Sequence, residues 1–233
     1  MKIRKAHDRG LTHIDWLYSR HSFSFGEYYD PRNMGFRTLR VINDDIIEPG
    51  EGFGMHGHRD MEIITVVVEG ALEHKDSLGH GEVLRPGEVQ VMTAGRGIRH
   101  SEFNPSSHER VHLFQIWIEP SSTGLTPAYF QREFPIEQRI NKLIRVAGNA
   151  TAADNAIPIN QDASVYVTHI LEGGNVRFLL QEGRAAWIQV IRGECSINGT
   201  PLQSGDAAAI ETPGEISLEG LDKTSDVLLF DLA

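Results

Sequence analysis

The chain has 233 residues, of which 22 are basic and 32 acidic, so its formal net charge is −10. This charge disfavours nonspecific binding to nucleic acid and to anionic membrane surfaces, whereas it is compatible with a protein partner. With 40% hydrophobic and 23% charged residues, the composition is that of an ordinary globular protein.

Short segments rich in Val, Ile, Leu, Phe and Tyr alternate with glycines and prolines along the chain, which is typical of an all-β protein. In the first half these segments are 38–42, 62–68, 89–92 and 111–118. Residues 127–134 are the best candidate for a helix, because Pro127 suits a first helical turn. We expect little helix elsewhere.

Two polar stretches, 119–126 and 148–162, separate the halves of the chain. We therefore predict an N-terminal domain over 1–130 and a C-terminal domain over 131–233. The second half contains further short apolar segments at 165–171, 176–180, 186–191, 195–197, 207–210, 216–218 and 227–230. Within it, Asn198-Gly199 predicts a tight hairpin turn.

The two halves also share a pattern. Residues 66–95 and 188–212 both show a strand, a charged residue with glycine, a second strand, a turn, Gly-Glu or Gly-Asp, and a third strand. This indicates an internal duplication and predicts two β barrels or sandwiches. Only the first half contains a His-x-His sequence, so we expect a single metal site, in the N-terminal domain.

We expect the protein to be cytoplasmic. The basic N-terminal segment lacks the apolar core of a signal peptide, and no apolar run reaches about 18 residues. The single cysteine, Cys195, cannot form an intramolecular disulfide, which fits a reducing compartment.

Two pairs of side chains at i, i+2 spacing form the strongest functional motif. They are His56 with His58, and His100 with Glu102. Alternate residues of a strand point to the same face, so two neighbouring strands would direct four nitrogen and oxygen donors into one cavity. Such a donor set suits iron, nickel, cobalt, copper or zinc better than calcium or magnesium.

Other interpretations of these residues remain open. The first histidine pair could lie in a surface loop, and Glu102 could be a solvated carboxylate. Glu62 has the same strand parity as the first histidine pair, but we assign it a structural or supporting role rather than a ligand role. His112 is interpreted as a barrel histidine, His74 as a residue near the metal or in a turn, and His21 as part of the packing of the N-terminal segment.

The spacing of these motifs resembles that of cupins, and the wider sequence resembles the pirin family of the quercetinase type. The matching segments are HSFSF (21–25), YDP (29–31), GF (35–36), LRVINDD (39–45), GMHGH (54–58), DME (60–62), IRHSE (98–102) and NPS (104–106). The resemblance implies a bicupin of two jelly-roll barrels. It also implies a metal held by His56, His58, His100 and Glu102, whereas ordinary cupins take the glutamate that follows His-x-His.

By that resemblance the protein is a metal-dependent dioxygenase that opens the flavonol ring of quercetin with O2 and releases carbon monoxide. Glu102 would act as the catalytic base. The cofactor would be one divalent transition metal, with iron placed first and nickel, cobalt, copper or zinc as alternatives. Four ligands would leave up to two positions open for substrate and O2.

Two other function classes remain open. Some pirins resemble metal-dependent regulatory partners of transcription factors, which would need no substrate pocket. A cupin isomerase or sugar binder is also possible, because a fold does not fix a function. A cavity that admits a flavonol-sized molecule to the metal would distinguish the enzyme from the regulator.

Overall fold

The computed structural model describes residues 1–149 and 155–233. In the first part of the chain, a 3-10 turn (Ala6–Asp8) accompanies the strands β1 (Lys2–Arg4), β2 (Gly10–Ile14), β3 (Leu17–His21), β4 (Leu39–Ile47), β5 (Gly52–His58), β6 (Glu62–Glu69), β7 (Leu72–Asp76), β8 (Gly81–Leu84), β9 (Glu88–Thr93), β10 (Ile98–Phe103), β11 (Val111–Ile118) and β12 (Ala128–Glu133). The rest of the chain forms α1 (Ile136–Arg139), β13 (Ile144–Gly148), β14 (Ile157–Pro158), β15 (Ala163–Leu171), β16 (Asn175–Leu180), β17 (Ala185–Arg192), β18 (Glu194–Ile197), β19 (Thr200–Gln203), β20 (Ala207–Ile210), β21 (Gly214–Gly220) and β22 (Thr224–Leu232). The expected all-β fold with little helix is confirmed.

The chain forms two compact units. The N-terminal barrel consists of Gly10–Glu133 with Ile159–Gln161, and the C-terminal barrel consists of Met1–Arg9, Phe134–Pro158 and Asp162–Ala233. The main boundary, between Glu133 and Phe134, lies close to the predicted boundary between residues 130 and 131. The units differ from the predicted domains in two short segments, Met1–Arg9 and Ile159–Gln161. The first residues belong to the C-terminal barrel because β1 pairs with β20. The short return segment belongs to the N-terminal barrel, where Asn160 hydrogen bonds to Glu62.

Each barrel is built from a seven-stranded and a four-stranded sheet. In the N-terminal barrel the strand orders are β12-β9-β6-β11-β4-β3-β2 and β5-β10-β7-β8. In the C-terminal barrel they are β1-β20-β17-β22-β15-β13-β14 and β16-β21-β18-β19. The eight strands β4 to β11 therefore recur, in the same spatial order, as β15 to β22. This topology supports the internal duplication inferred from the sequence.

The C-terminal barrel has an apolar interior. Its strands β16 and β21 correspond to β5 and β10, the two strands that contain the predicted metal ligands. The buried side chains of β16 and β21 include Val176, Leu180, Ile216 and Leu218, which join one hydrophobic cluster with residues of β17, β18, β20 and β22. Burial of this apolar surface stabilises the C-terminal barrel and fills the space that corresponds to the predicted site.

Two local predictions had different outcomes. The predicted helix over 127–134 is wrong, because β12 occupies this stretch and pairs along its whole length with β9. Strand pairing at the edge of the seven-stranded sheet overrides the weak helical preference of this segment. The predicted hairpin is confirmed, since Asn198 and Gly199 connect β18 to β19 with φ values of 49° and 79°.

The described part of the chain was also searched for membrane-spanning helices. It contains no helix that is both long and apolar enough to cross a bilayer.

Candidate metal centre

Three neighbouring strands of the four-stranded sheet supply the side chains of the candidate site. In this sheet β10 lies between β5 and β7. His100 is paired with His56 on β5, and on β7 it is paired with Asp76, while Glu102 is paired with His74. Because residues at i, i+2 share a face, each strand directs two polar side chains to the same side of the sheet.

The three predicted histidine ligands lie close together. Nε2 of His56 is 3.1 Å from Nε2 of His100, and the ring of His58 is 4.7 Å and 4.8 Å from the rings of the other two. The Nδ1 atom of His56 donates to the Gly54 carbonyl at 2.7 Å, which leaves its Nε2 lone pair directed at the site. A cation among the three rings would accept one nitrogen lone pair from each.

Glu102 is the fourth predicted ligand, and it is fully buried on the same strand as His100. One carboxylate oxygen, Oε2, accepts a hydrogen bond from Gln115 Nε2. The other, Oε1, has no hydrogen-bond partner among the described residues. Burial raises the pKa of Glu102 to about 7, against the lowering effects of the Gln115 hydrogen bond and of the nearby Thr65 hydroxyl. An unpartnered buried carboxylate oxygen is energetically costly unless a cation or a proton satisfies it.

The described residues contain two overlapping groups of metal-binding donors. The first is His56, His58 and His100, and the second is His74, His100 and Glu102. In each group the donor atoms lie within 4.8 Å of one another. The three predicted histidine ligands thus lie in one donor group, and Glu102 lies in a second group that shares His100 with the first.

The protonation states of these groups fit a divalent metal. Burial, together with the neighbouring His56, lowers the pKa of His58 to about 4. Burial and the surrounding imidazoles also lower the pKa of His100 well below its usual range. Neutral imidazoles present lone pairs at neutral pH, and with one carboxylate they form a nitrogen and oxygen donor set suited to first-row transition metals.

The contacts of Glu62 agree with the structural role expected for it, although the strand parity used in that argument fails, and the structure specifies the role of His112. The strand parity that related Glu62 to the first histidine pair does not hold, because Asp60, with φ 47°, turns the chain from β5 into β6 of the other sheet. Glu62 instead accepts hydrogen bonds from Thr93 and Asn160 at 2.8 Å and 2.9 Å. His112 pairs with Asp44 at 2.7 Å, as a barrel histidine would.

Sequence reasoning missed Asp76 and Gln115, which contact the predicted ligands or their neighbours. Asp76 is hydrogen bonded to His74, and Gln115 to Glu102. The spacing His74-x-Asp76 is a third i, i+2 pair of possible donors, in the short strand β7, and could have indicated the first contact. No comparable pattern identifies Gln115, because its contact with Glu102 depends on how the two sheets face each other.

A cavity of about 720 Å³ opens beside the candidate ligands. His56, His58 and Glu102 form part of its wall. Much of the remaining wall is aromatic or aliphatic, formed by Ile14, Trp16, Leu17, Phe25, Phe53 and Trp117. The Trp117 ring lies edge-on to His58, with ring centroids 4.9 Å apart. Sites for small organic ligands have volumes of roughly 300–1,000 Å³ and such mostly apolar walls.

The polar part of the cavity wall includes Asn43, Asp45, Gln115 and His21. Nδ1 of His21 is 2.7 Å from the Asn43 side-chain oxygen. Asp45 is buried, its Oδ1 has no hydrogen-bond partner among the described residues, and burial raises its pKa to about 7. His21, which was interpreted only as a packing residue, thus also borders the cavity.

Comparison with known proteins identifies the family. Residues 3–118 match the Pirin family, and residues 146–232 match the quercetinase C-terminal cupin domain. The chain belongs to the pirin family. It is 47% identical to a quercetin 2,3-dioxygenase of Escherichia coli K12, over 99% of this chain and 97% of that protein. It is also 40% identical to a pirin-like protein of Caulobacter vibrioides, over 97% of both chains.

Solved structures give the same result. The crystal structure of the bacterial pirin YhhW in complex with nickel(II), from Escherichia coli, superimposes with a TM-score of 0.93 at 47% identity. The match covers 99% of this chain and 98% of that one. The bicupin fold predicted from sequence is thereby confirmed. The nickel complex of this relative and the histidine and glutamate cluster described above together support binding of a divalent metal.

Proposed function

We propose that this pirin is a metal-dependent dioxygenase that opens the flavonol ring of quercetin with O2 and releases carbon monoxide. His56, His58, His100 and Glu102 are the proposed ligands of one divalent metal. Iron is the first metal to test, and nickel, cobalt, copper and zinc are the alternatives, because such donors bind most first-row divalent ions. The lone buried Cys195 fits a reducing compartment, so the proposed location is the cytoplasm.

The cavity beside the ligands is the observation on which this proposal rests. Three of the four proposed ligands contribute to its wall, so a molecule bound there would lie against the metal. Its aromatic wall suits a flat, largely apolar substrate. A metal used only for regulation needs no cavity of this size, so the enzyme is favoured over the non-enzymatic regulator.

In the proposed mechanism, the protein orients the flavonol and transfers its proton. The rings of Phe25 and Trp117, 5.4 Å apart, form an apolar surface against which a flavonol can pack. Glu102 would loosen from the metal and take the proton of the 3-hydroxyl group through Oε1, the oxygen that has no hydrogen-bond partner among the described residues. With no metal bound, burial raises the pKa of Glu102 to about 7, so a carboxylate released from the metal would be suited to general base catalysis near neutral pH.

Gln115 keeps Oε2 of Glu102 occupied, so that Oε1 is the oxygen available to the site. A bound divalent metal would supply a Lewis acid that favours the deprotonated flavonol and a path for electrons between flavonol and O2. The apolar wall excludes water from the ring that is opened.

The decisive experiment measures O2 consumption and carbon monoxide release with quercetin. Protein is loaded separately with iron(II), nickel, cobalt, copper or zinc, and the His56→Ala/His58→Ala variant is the control. We expect turnover with at least one metal and none with the variant. Stoichiometric metal binding without turnover on any metal would refute the dioxygenase and favour the regulatory alternative.

The role of Glu102 as base is tested separately with Glu102→Gln. The amide retains an oxygen that can approach the metal but cannot accept the substrate proton. We expect the variant to bind metal and to lose at least about 100-fold in kcat, the low end of the range for general base catalysis. Normal turnover by this variant would exclude Glu102 as the base.

A further inference from the structure

A buried chain of side chains continues from the candidate ligand His100 away from the metal position. The next members are His74 and Asp76 on the neighbouring strand β7, and both of their side chains have no exposed surface. Nδ1 of His74 is 3.4 Å from Nδ1 of His100, and Nε2 of His74 is 3.2 Å from Oδ2 of Asp76. The chain therefore runs from His100 through one imidazole to one carboxylate.

Asp76 is held firmly at the end of this chain. Its Oδ1 accepts hydrogen bonds from the backbone N–H groups of Leu78 and His80, at 2.8 Å and 3.1 Å. Its Oδ2 lies 2.9 Å from Nδ1 of His80, in addition to its contact with His74. The ring of Tyr129 is stacked with those of His74 and His80, at centroid distances of 4.8 Å and 4.7 Å.

These contacts fix the tautomer of each imidazole once His100 coordinates a metal. With Nε2 of His100 directed at the metal beside His56, the hydrogen of His100 must be on Nδ1. It is then donated to Nδ1 of His74, so the hydrogen of His74 is on Nε2. That hydrogen is donated to Asp76, which as a carboxylate can only accept. Each hydrogen bond in the chain thus has one donor and one acceptor.

The same atoms also allow a competing arrangement. His74, His100 and Glu102 form the second group of donors, so a second metal could bind between the two Nδ1 atoms. In that case His100 would have to bridge two metals as an imidazolate, which requires the neutral ring to lose its one N–H hydrogen. A single metal requires no such deprotonation. His74, itself fixed by Asp76, then provides the hydrogen-bond acceptor that metal-binding histidines commonly have in their surroundings.

We propose that His74 and Asp76 are positioning residues that hold His100 in the tautomer and orientation required for one metal ion per chain. His74 is a hydrogen-bond acceptor for His100 and not a metal ligand. This inference rests on the proposed ligand set. It does not require quercetin to be the substrate.

The test uses Co²⁺ as the probe and compares Asp76→Asn and His74→Phe with the wild type. In Asp76→Asn, the backbone N–H groups of Leu78 and His80 still bind the side-chain oxygen, so the amide NH2 group faces Nε2 of His74. His74 must then accept at Nε2 and carry its own hydrogen on Nδ1, where it opposes the Nδ1 hydrogen of His100. In His74→Phe the acceptor is absent. We expect Co²⁺ affinity, measured by competition with a chelator, to fall by about 10–100-fold in both variants.

Two further variants separate positioning from general destabilisation. His74→Gln restores a carbonyl acceptor for His100 and is expected to recover most of the affinity lost in His74→Phe. Asp44→Asn disturbs a similar pair, Asp44 with His112, which contributes to neither donor group, and should leave Co²⁺ affinity unchanged. Thermal unfolding of the metal-free proteins provides the check on folding.

Proton NMR of the Co²⁺ protein gives a second readout that does not depend on turnover. The Nδ1 hydrogen of His100 should give a paramagnetically shifted signal that exchanges slowly with solvent, and this signal should exchange rapidly or disappear in Asp76→Asn. Two Co²⁺ ions per wild-type chain, or affinities within twofold of wild type in both Asp76→Asn and His74→Phe, would overturn the inference. Unchanged Co²⁺ affinity in His56→Ala/His58→Ala would instead refute the ligand set itself.

Discussion

The raised pKa of Glu102 predicts that metal affinity increases with pH around neutrality and that Glu102→Gln removes this dependence. In the metal-free protein, burial raises the pKa of Glu102 to about 7. A metal ion binds the carboxylate and not the carboxylic acid, so it must displace this proton. Replacement by Gln removes the titrating group and leaves an amide of similar shape.

The expected magnitude follows from the pKa alone. With a pKa of about 7, metal binding should release about 0.9 proton from Glu102 at pH 6, about 0.5 at pH 7 and about 0.1 at pH 8. The apparent affinity of the wild type should accordingly rise by ~10-fold between pH 6 and pH 8 through this group. His58, whose pKa is lowered to about 4, is already neutral over this range and adds no dependence.

Calorimetric titration with Ni²⁺ in buffers of different ionisation enthalpy measures both the affinity and the protons released. The difference between wild type and Glu102→Gln isolates the contribution of Glu102, which matters because Asp45 titrates in the same range. Glu62→Gln is the matched control, since burial raises the pKa of Glu62 too, but its hydrogen bonds are made to Thr93 and Asn160. Equal pH dependence in wild type and Glu102→Gln would refute Glu102 as a metal ligand.

Three further predictions concern stability, substrate binding and strand geometry. The pKa values of Asp45 and Glu102 are both raised to about 7 by burial, so the stability they add to the metal-free protein is present at low pH and is lost as the pH rises through 7. Because the lowered pKa values of His58 and His100 act in the opposite direction, the test is the difference in the free energy of unfolding by urea between wild type and Asp45→Asn. The stability of the wild type relative to Asp45→Asn should fall between pH 5 and pH 8. Trp117→Ala removes part of the aromatic cavity wall and should raise KM for quercetin about tenfold, equivalent to about 1.4 kcal/mol, with metal content unchanged. Gly52→Ala would place a Cβ 2.2 Å from the Glu102 carbonyl oxygen, so it should destabilise the protein by about 1–3 kcal/mol and weaken metal binding, whereas Gly54→Ala, with no atom within 4 Å, should do neither.

For each of these three predictions, a specific result would contradict the reasoning. A wild-type stability that does not fall relative to that of Asp45→Asn between pH 5 and pH 8 would contradict the burial of a protonated Asp45. A kcat that falls while KM stays constant in Trp117→Ala would assign that residue to chemistry and not to substrate packing. Equal effects of Gly52→Ala and Gly54→Ala, measured by thermal unfolding and Ni²⁺ titration, would show that close contact of β5 with β10 is unimportant.

The sequence predicted the all-β class and the ligand pairs because both depend on local periodicity. A strand alternates its side chains between two faces, so His56 with His58, and His100 with Glu102, had to share a face within each pair whatever the barrel around them. Likewise, Asn198-Gly199 determines its own turn because both residues tolerate positive φ. The resemblance from which the pirin family was predicted also lies in short motifs between residues 21 and 106, and the match of residues 3–118 to the Pirin family confirmed it.

Tertiary structure decided everything that depends on contacts between distant segments. The stretch 127–134 became strand β12 because β9 offered an unpaired edge, and Glu62 left the site because Asp60 turned the chain into the other sheet. The contact of Gln115 with Glu102 lies between strands of different sheets, and the pKa of Glu102 reflects its burial. Desolvation and the spacing between sheets arise only when the barrel closes, so no pattern of neighbouring residues could have revealed them.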